Sequence, residues 1–337
     1  MWNLDNFYEE IYENTVSKQK IFSSTERYRF HLKQSLTEAL GKFPERPNDF
    51  KLEKLEIREF EQYTREKISI SSILGLSIPI YILTPKNMME KHSSVLALHG
   101  HGYGSKEIVG MKEDGSEDEE PPGIHKHFAI ELVKRGVKVF APEVVGFGDR
   151  MLSRDIENKL PSSCYALATQ LLMCGQTLPG LRVNETLRVL DLVMSLEDVD
   201  ENRVGIMGFS GGGLIAAYSS ALDERIKATV LTGFTNTFKG SILAIRHCLD
   251  NYLPGILESA ELPDIIGLIA PRPLFVEAAI DDPIFPIQST RQAIKCLEET
   301  YRKQHATNNI TTDVFRGNHM INGRYSYDWL VEELSSK

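Results

Sequence analysis

The sequence predicts an α/β fold built around a mostly parallel central sheet. Three observations lead there. From residue 66 onward, short apolar runs alternate with stretches of helical periodicity. The runs are nearly continuously apolar, as strands covered on both faces are, rather than alternating apolar and polar. Finally, the residues most able to carry chemistry stand where those runs end, the edge at which functional groups gather in such sheets. With 337 residues and 42% hydrophobic content, the chain has enough apolar surface for a large core.

In chain order, "NLDNFYEEIYENTV" places Leu4, Phe7 and Ile11 on one helical face. "STERYRFHLKQSLTEALGKFP" does the same with Tyr28, Leu32, Leu36 and Leu40, until Gly41 and Pro44 stop it. Residues 1–60 therefore read as a helical extension packed on a main domain of residues 61–337. "KISISSILGLSIPIYILTP" then alternates apolar and polar residues in two runs about a glycine, the pattern of a hairpin. The core runs follow as "SSVLALHG", "GVKVFAPEVV", "RVGIMGFS", "IKATVLTGF", "RPLFVEAAID" and "ITTDVFRGNH". The acidic loop within 106–122 reads as a solvated insertion rather than a lid over a site, and residues 155–180, which carry Leu167, Leu171, Leu172 and Met173, read as a plain core helix or as a cap over the site.

Ser210 ends the third of these core runs, inside Gly208-Phe209-Ser210-Gly211-Gly212. This matches the Gly-x-Ser-x-Gly turn, which places a serine between a strand and a helix on a bend so sharp that a Cβ at either flanking glycine would collide with a neighbour. The apolar "VGIMGF" before it and the small-residue helix "GGLIAAYSSAL" after it supply that setting. A serine hydroxyl needs a base to become a nucleophile, normally a histidine oriented by a carboxylate. His319, in the glycine-bounded loop of "VFRGNHMING", follows the last strand and fits best; His247 reads as part of a helix, "ILAIRHCLDNYLPG", and His305 as a polar helix end. For the acid, Asp282 is preferred over Asp281 because Pro283 biases it toward an extended conformation beyond the strand end; Asp313, inside the last run, is a weaker competitor. Two backbone N–H groups suit an oxyanion: that of Gly211, at the start of the helix, and that of His101 in "LHGHGYGSKE", with Gly102 next.

The remaining composition excludes other classes. A net charge of −9 and a pI near 5.6 give no basic surface for nucleic acid or an anionic membrane. "MWNLDNFYEE" lacks the charged and apolar regions of a signal peptide, and no window holds 18 apolar residues, so a soluble cytoplasmic protein is expected. Cys164, Cys174, Cys248 and Cys296 are widely spaced and read as reduced thiols. His99 with His101, and His125 with His127, have no carboxylate or cysteine cluster beside them in the sequence, so neither a metal nor a cofactor is expected. A homo-oligomer is compatible with the composition.

"LHGHGYGSKE", "GVKVFAPEVVGFGDR", "SLEDVDENRVGIMGFSGGG", "ALDERIKATVLTGF", "HCLDNYLPGIL", "LIAPRPLFVEAAIDDPIFPI" and "FRGNHMI" together resemble the bacterial dienelactone-hydrolase-like and acetyl-xylan-esterase-like branch of the α/β-hydrolase superfamily, over roughly residues 65–335. The resemblance implies an α/β-hydrolase fold and serine esterase chemistry without a cofactor. It implies a small-molecule ester as substrate and Ser210, Asp282 and His319 as the catalytic set. Arg150, in "GFGDR", is then a structural ion-pair partner. The branch's deacetylases carry glutamine after the serine, where Gly211 stands here. Two rival readings are a prolyl-oligopeptidase-like peptidase, for which no propeller repeat precedes the domain, and a non-catalytic binding protein of this fold, which has no need of all three residues at strand ends.

Overall fold

The computed structural model describes residues 3–20, 22, 24–86 and 89–335. The strands are β1 (Glu53–Glu59), β2 (Tyr63–Ser71), β3 (Ser77–Pro85), β4 (His92–Leu98), β5 (Lys138–Pro142), β6 (Val199–Phe209), β7 (Ala228–Thr232), β8 (Leu274–Ala279) and β9 (Ile310–Phe315). They form a nine-stranded sheet in the order β1-β2-β3-β5-β4-β6-β7-β8-β9. β1, β2, β3 and β5 pair antiparallel to one another, and from β5 through β4 to β9 every pairing is parallel.

The helices are α1 (Leu4–Val16), α2 (Thr25–Leu40), α3 (Phe128–Lys134), α4 (Ser153–Glu157), α5 (Cys164–Met173), α6 (Leu178–Ser195), α7 (Gly211–Leu222), α8 (Leu262–Ile266), α9 (Ile287–Lys303) and α10 (Ser326–Ser335). The continuous apolar runs are explained by two cores, one on each side of the sheet. Leu96 and Leu98 of β4, Ile206 of β6 and Val276 of β8 face the core shared with α2, α6, α7, α8 and α9. Val95, Ala97, Met207 and Phe275 face the smaller core under α3 and α10. Because successive strand residues point to opposite faces, a strand covered on both must be apolar at every position.

Two expectations are corrected. β1 lies inside residues 1–60, so that stretch is not wholly helical. Its "EKLEIRE" is exposed at every position and pairs with β2 at the sheet edge, where a charged, weakly apolar strand hides from helical periodicity. The segment around His247 is not a helix either. A short π-turn (Phe238–Ile242) gives way to turns and a 3₁₀ turn at Leu249–Asn251. Thr237 Oγ1 caps the π-turn by accepting from Gly240 N–H at 2.9 Å, and the backbone becomes extended at Cys248 (φ −65°, ψ 139°), which stops a helix from running through.

The two candidate lids differ. The acidic loop is mostly exposed yet pinned, because Glu117 pairs with the buried guanidinium of Arg65 and Asp118 Oδ2 lies 3.1 Å from His127 Nε2. Within residues 155–180, α5 buries Cys164 and Ala168 and leaves Tyr165 and Met173 exposed. Arg150 forms the ion pair expected of it, two contacts of 2.6 and 2.8 Å to the equally buried Glu185.

The N-terminal helices are unequal in how they are held. α2 buries Leu32, Leu36 and Leu40 in the main core, and Arg29 donates to the carbonyls of Gly267, Leu268 and Ala270 at 3.1, 2.8 and 2.7 Å. α1 buries no residue. Leu36→Ala is therefore expected to cost about 2–5 kcal/mol in urea unfolding, and Ile11→Ala about 0.5 kcal/mol or less. Equal losses would show that both helices belong to the cooperative core.

Candidate active site

Ser210 sits between β6 and α7 with φ +55° and ψ −118°, a backbone conformation that L-residues rarely adopt. Its surroundings enforce it. A Cβ on Gly208 would stand 2.1 Å from the carbonyl oxygen of Gly212, and one on Gly212 would stand 2.1 Å from that of Leu98 in β4. The helix start is wedged against two strands, and the Ser210 N–H donates to Thr232 O of β7 at 2.9 Å.

Asp282 follows β8. Its Oδ1 accepts from the N–H groups of Ile284 and Phe285 at 2.8 and 3.0 Å, a local turn that leaves Oδ2 free to face His319. The neighbouring Asp281 is exposed, and Asp313 is engaged with Arg324 at 2.9 Å. His319 stands in the loop after β9, its ring between Phe209 and Phe285 at centroid distances of 4.8 and 5.7 Å. The imidazole joins the other two residues: Nδ1 lies 2.7 Å from Asp282 Oδ2, and Nε2 lies 2.8 Å from Ser210 Oγ. With the carboxylate fixing the proton on Nδ1, Nε2 is the acceptor for the serine hydroxyl.

Glu277, which the sequence reading missed, secures that loop. It lies inside β8, is fully buried, and accepts from the N–H groups of Asn322 and Gly323 at 2.7 and 3.0 Å and from Ser326 Oγ at 2.7 Å. Burial pushes its carboxyl above the ordinary range, against the pull of these donors. A carboxylate inside an apolar strand run was the one signal available.

The loop after β4 carries His101. Gly100 presses on the serine turn so closely that a Cβ there would meet Phe209 O at 2.8 Å and Ser210 Cβ at 3.0 Å. The other histidines of the motif brace the loop. His99 Nε2 accepts from Val144 N–H at 3.1 Å, and His125 Nε2 accepts from Gly100 N–H at 3.0 Å. Burial holds the His125 imidazole below its usual range, which suits a neutral acceptor. Glu143 takes the N–H and Oγ of Ser105 farther along. Gly211 heads α7, where its N–H has no intrahelical partner. The Nδ1 of His101 is 3.6 Å from where a Gly211 Cβ would be, so the two residues named for the oxyanion lie side by side.

A cavity of about 330 Å³ opens onto Ser210 and His319, walled by Phe209, Ile284, Ile124, His101 and His247. A second of about 610 Å³ shares His101 and runs over Phe147, Tyr103, Ile156 and Leu160, with Lys106 and Lys159 at its margin. Residues from both candidate lids thus border the second cavity. His247, read as a helix residue, instead faces the first one, edge-on to Phe285 at 5.5 Å.

Sheet order, the serine turn and the strand-end residues give the chain an α/β-hydrolase fold. The family model for acetyl xylan esterase matches residues 183–245, the segment containing the serine turn. A curated relative from Bacillus subtilis (strain 168), named "Putative hydrolase YtaP", is 28% identical over 287 residues, covering 82% of this chain and 89% of its own. Among solved structures, a Bacteroides fragilis protein titled a "putative acetyl xylan esterase" superposes with a TM-score of 0.79 at 15% identity, covering 93% of this chain and 88% of its own. The glucuronoyl esterase from Solibacter usitatus gives 0.66 at 15%, covering 91% of each chain. Acetyl xylan esterase 1 from Thermoanaerobacterium sp. gives 0.57 at 16%, covering 94% of this chain and 99% of its own. Among the described residues no helix is long and apolar enough to cross a membrane.

The glycines of the turn should respond very differently to a methyl group. Gly212→Ala drives Cβ into Leu98 O and is expected to cost about 3 kcal/mol or more, seen as a collapsed urea midpoint or loss of soluble protein. Gly211→Ala meets the His101 ring only at ordinary van der Waals distance, 3.6 Å, and should stay within about 1 kcal/mol of the parent. Glu277→Ala should speed hydrogen exchange of the Asn322 and Gly323 amides about tenfold or more, a loss of about 1.4 kcal/mol of local protection; unchanged exchange would mean the loop is held by other contacts.

Proposed function

We propose that this chain is a serine carboxylic ester hydrolase acting on a small-molecule ester through an acyl-enzyme intermediate. The observation that carries the reading is the unbroken line of contacts, 2.7 Å from Asp282 Oδ2 to His319 Nδ1 and 2.8 Å from His319 Nε2 to Ser210 Oγ, at the floor of an open cavity. In this mechanism His319 Nε2 takes the hydroxyl proton as Ser210 Oγ attacks the ester carbonyl, and Asp282 stabilises the imidazolium. The negative charge on the tetrahedral carbonyl oxygen is met by the N–H groups of Gly211 and His101. The imidazolium returns its proton to the departing alkoxide, which leaves as the alcohol. Water then attacks the acyl-serine, giving up a proton to His319; collapse of the second intermediate frees the carboxylic acid and restores the serine hydroxyl.

The substrate class follows from the cavities. The space over Ser210 is walled by Phe209, Ile284 and Ile124, which suits a short acyl group. The larger depression beyond His101 mixes Phe147 and Tyr103 with Lys106 and Lys159, which suits a polar alcohol portion such as an acetylated sugar. Relatives named as acetyl xylan esterases support this choice.

Ser210→Ala is expected to lower kcat for p-nitrophenyl acetate by about 10⁴-fold or more, and to abolish labelling by a fluorophosphonate probe. Asp282→Asn should lower kcat by about 10⁴-fold while Ser210 remains in place. Full hydrolysis by Ser210→Ala would end this reading.

A further inference from the structure

His101 has two sides. One ring nitrogen, Nδ1, lies next to Gly211; the other, Nε2, points away from the serine into a cluster that includes two of the four cysteines. Cys164 opens α5, Cys248 precedes the 3₁₀ turn Leu249–Asn251, and Asp250 lies within that turn. A ring nitrogen of His101, the two sulfurs and an Asp250 carboxylate oxygen all fall within 4.8 Å of one another. His101 Nε2 is buried and makes no hydrogen bond among the described residues, although Asp250 Oδ2 is 3.3 Å away. A buried imidazole nitrogen left without a hydrogen bond, among two thiols and a carboxylate, needs an explanation.

We propose that His101 Nε2, Cys164 Sγ, Cys248 Sγ and the Asp250 carboxylate form a tetrahedral zinc(II) site. The donors are those that zinc prefers, two soft sulfurs with one nitrogen and one oxygen, whereas calcium and magnesium require more oxygens than the cluster offers. Bond lengths near 2.0–2.3 Å give tetrahedral edges of about 3.3–3.8 Å. The four atoms need only draw in by about 1 Å from their outermost spacing.

Charge balance supports the site. Zinc binding displaces the two thiol protons, so two thiolates and a carboxylate face zinc(II) and the buried Arg182 guanidinium, and the formal charges cancel. Arg182 is already placed as an outer partner of two ligands. It donates from Nη1 to Asp250 Oδ2 at 2.6 Å and from Nη2 to Cys164 Sγ at 3.1 Å. Its Nε is committed to Val145 O at 3.1 Å. Asn251 Nδ2 holds the other oxygen, Asp250 Oδ1, at 2.7 Å. Such outer partners orient metal ligands and are costly to lose.

The site also bears on the esterase reading. A metal on His101 Nε2 would fix the residue whose N–H is assigned to the oxyanion, so its role there is positional. The test does not depend on that reading. Reduced full-length protein, stripped with a chelator, is titrated with zinc(II), freed of excess and analysed by mass spectrometry for metal. One zinc per chain is expected, and cobalt(II) in its place should show a thiolate-to-metal charge-transfer band with tetrahedral d–d absorption. Cys164→Ser and Cys248→Ser should each weaken zinc binding about a hundredfold or more and remove that band, while remaining folded by circular dichroism. Cys174→Ser, on the surface, and Ser210→Ala should bind zinc like the parent. Failure of the reduced parent to retain zinc, or undiminished binding by the double Cys164→Ser, Cys248→Ser variant, overturns the proposal.

Discussion

The close approach of α7 to the strands beside it constrains the rest of the site. At Gly208 and Gly212 there is no room for a single carbon, with carbonyl oxygens 2.1 Å from where it would stand. That wedge forces Ser210 to φ +55° and lifts its side chain off the end of β6. It also brings the bare N–H groups at the start of α7 against the loop after β4, through the contact of Gly100 with Ser210. Strain in one residue is tolerated because the packing around it is over-determined.

The partners of that serine are held by a second device, hydrogen bonds between loops that leave neighbouring strands. Ile280 N–H donates to Phe315 O and Asp281 N–H to Gly317 O, so the loop with Asp282 and the loop with His319 are tied together before either side chain acts. Glu277 anchors the far end of the histidine loop from within the sheet. On the other side, His99 and His125 accept backbone N–H groups and keep the loop of His101 in place. Polar groups buried at the end of an apolar sheet are costly alone and favourable once satisfied, so each also specifies where its loop lies.

Beside this arrangement lies a buried electrostatic one. Arg182 and Asp250 pair at 2.6 Å, and the guanidinium also rests over Phe147 at 4.9 Å. Breaking such a pair leaves an uncompensated charge, which makes α6, the Leu249–Asn251 turn and the start of α5 one unit next to the proposed oxyanion loop.

Much of this was written in local sequence. Continuous apolar runs fixed the α/β class because a strand covered on both faces leaves no polar position. The glycines around Ser210 and the proline after Asp282 announced local backbone geometry, which depends on nearest neighbours alone. What stayed hidden was non-local. β1 is a charged edge strand held in the sheet by pairing with β2, so its own periodicity carries no strand signal. The helical turn before His247 ends where the backbone becomes extended at Cys248, a break that the apolar spacing there does not announce. Glu277 and Arg182 look like misplaced charges until their partners arrive from elsewhere in the chain. Cys248 and Asp250 stand two residues apart in one connection, but His101 and Cys164 lie on two others, and only tertiary packing places the four donor atoms within 4.8 Å of one another. Sequence alone determined which residues could be strands, turns and reactive groups, because those properties are local; the tertiary structure decided which of them meet, because the sheet order that joins them is set by the whole core.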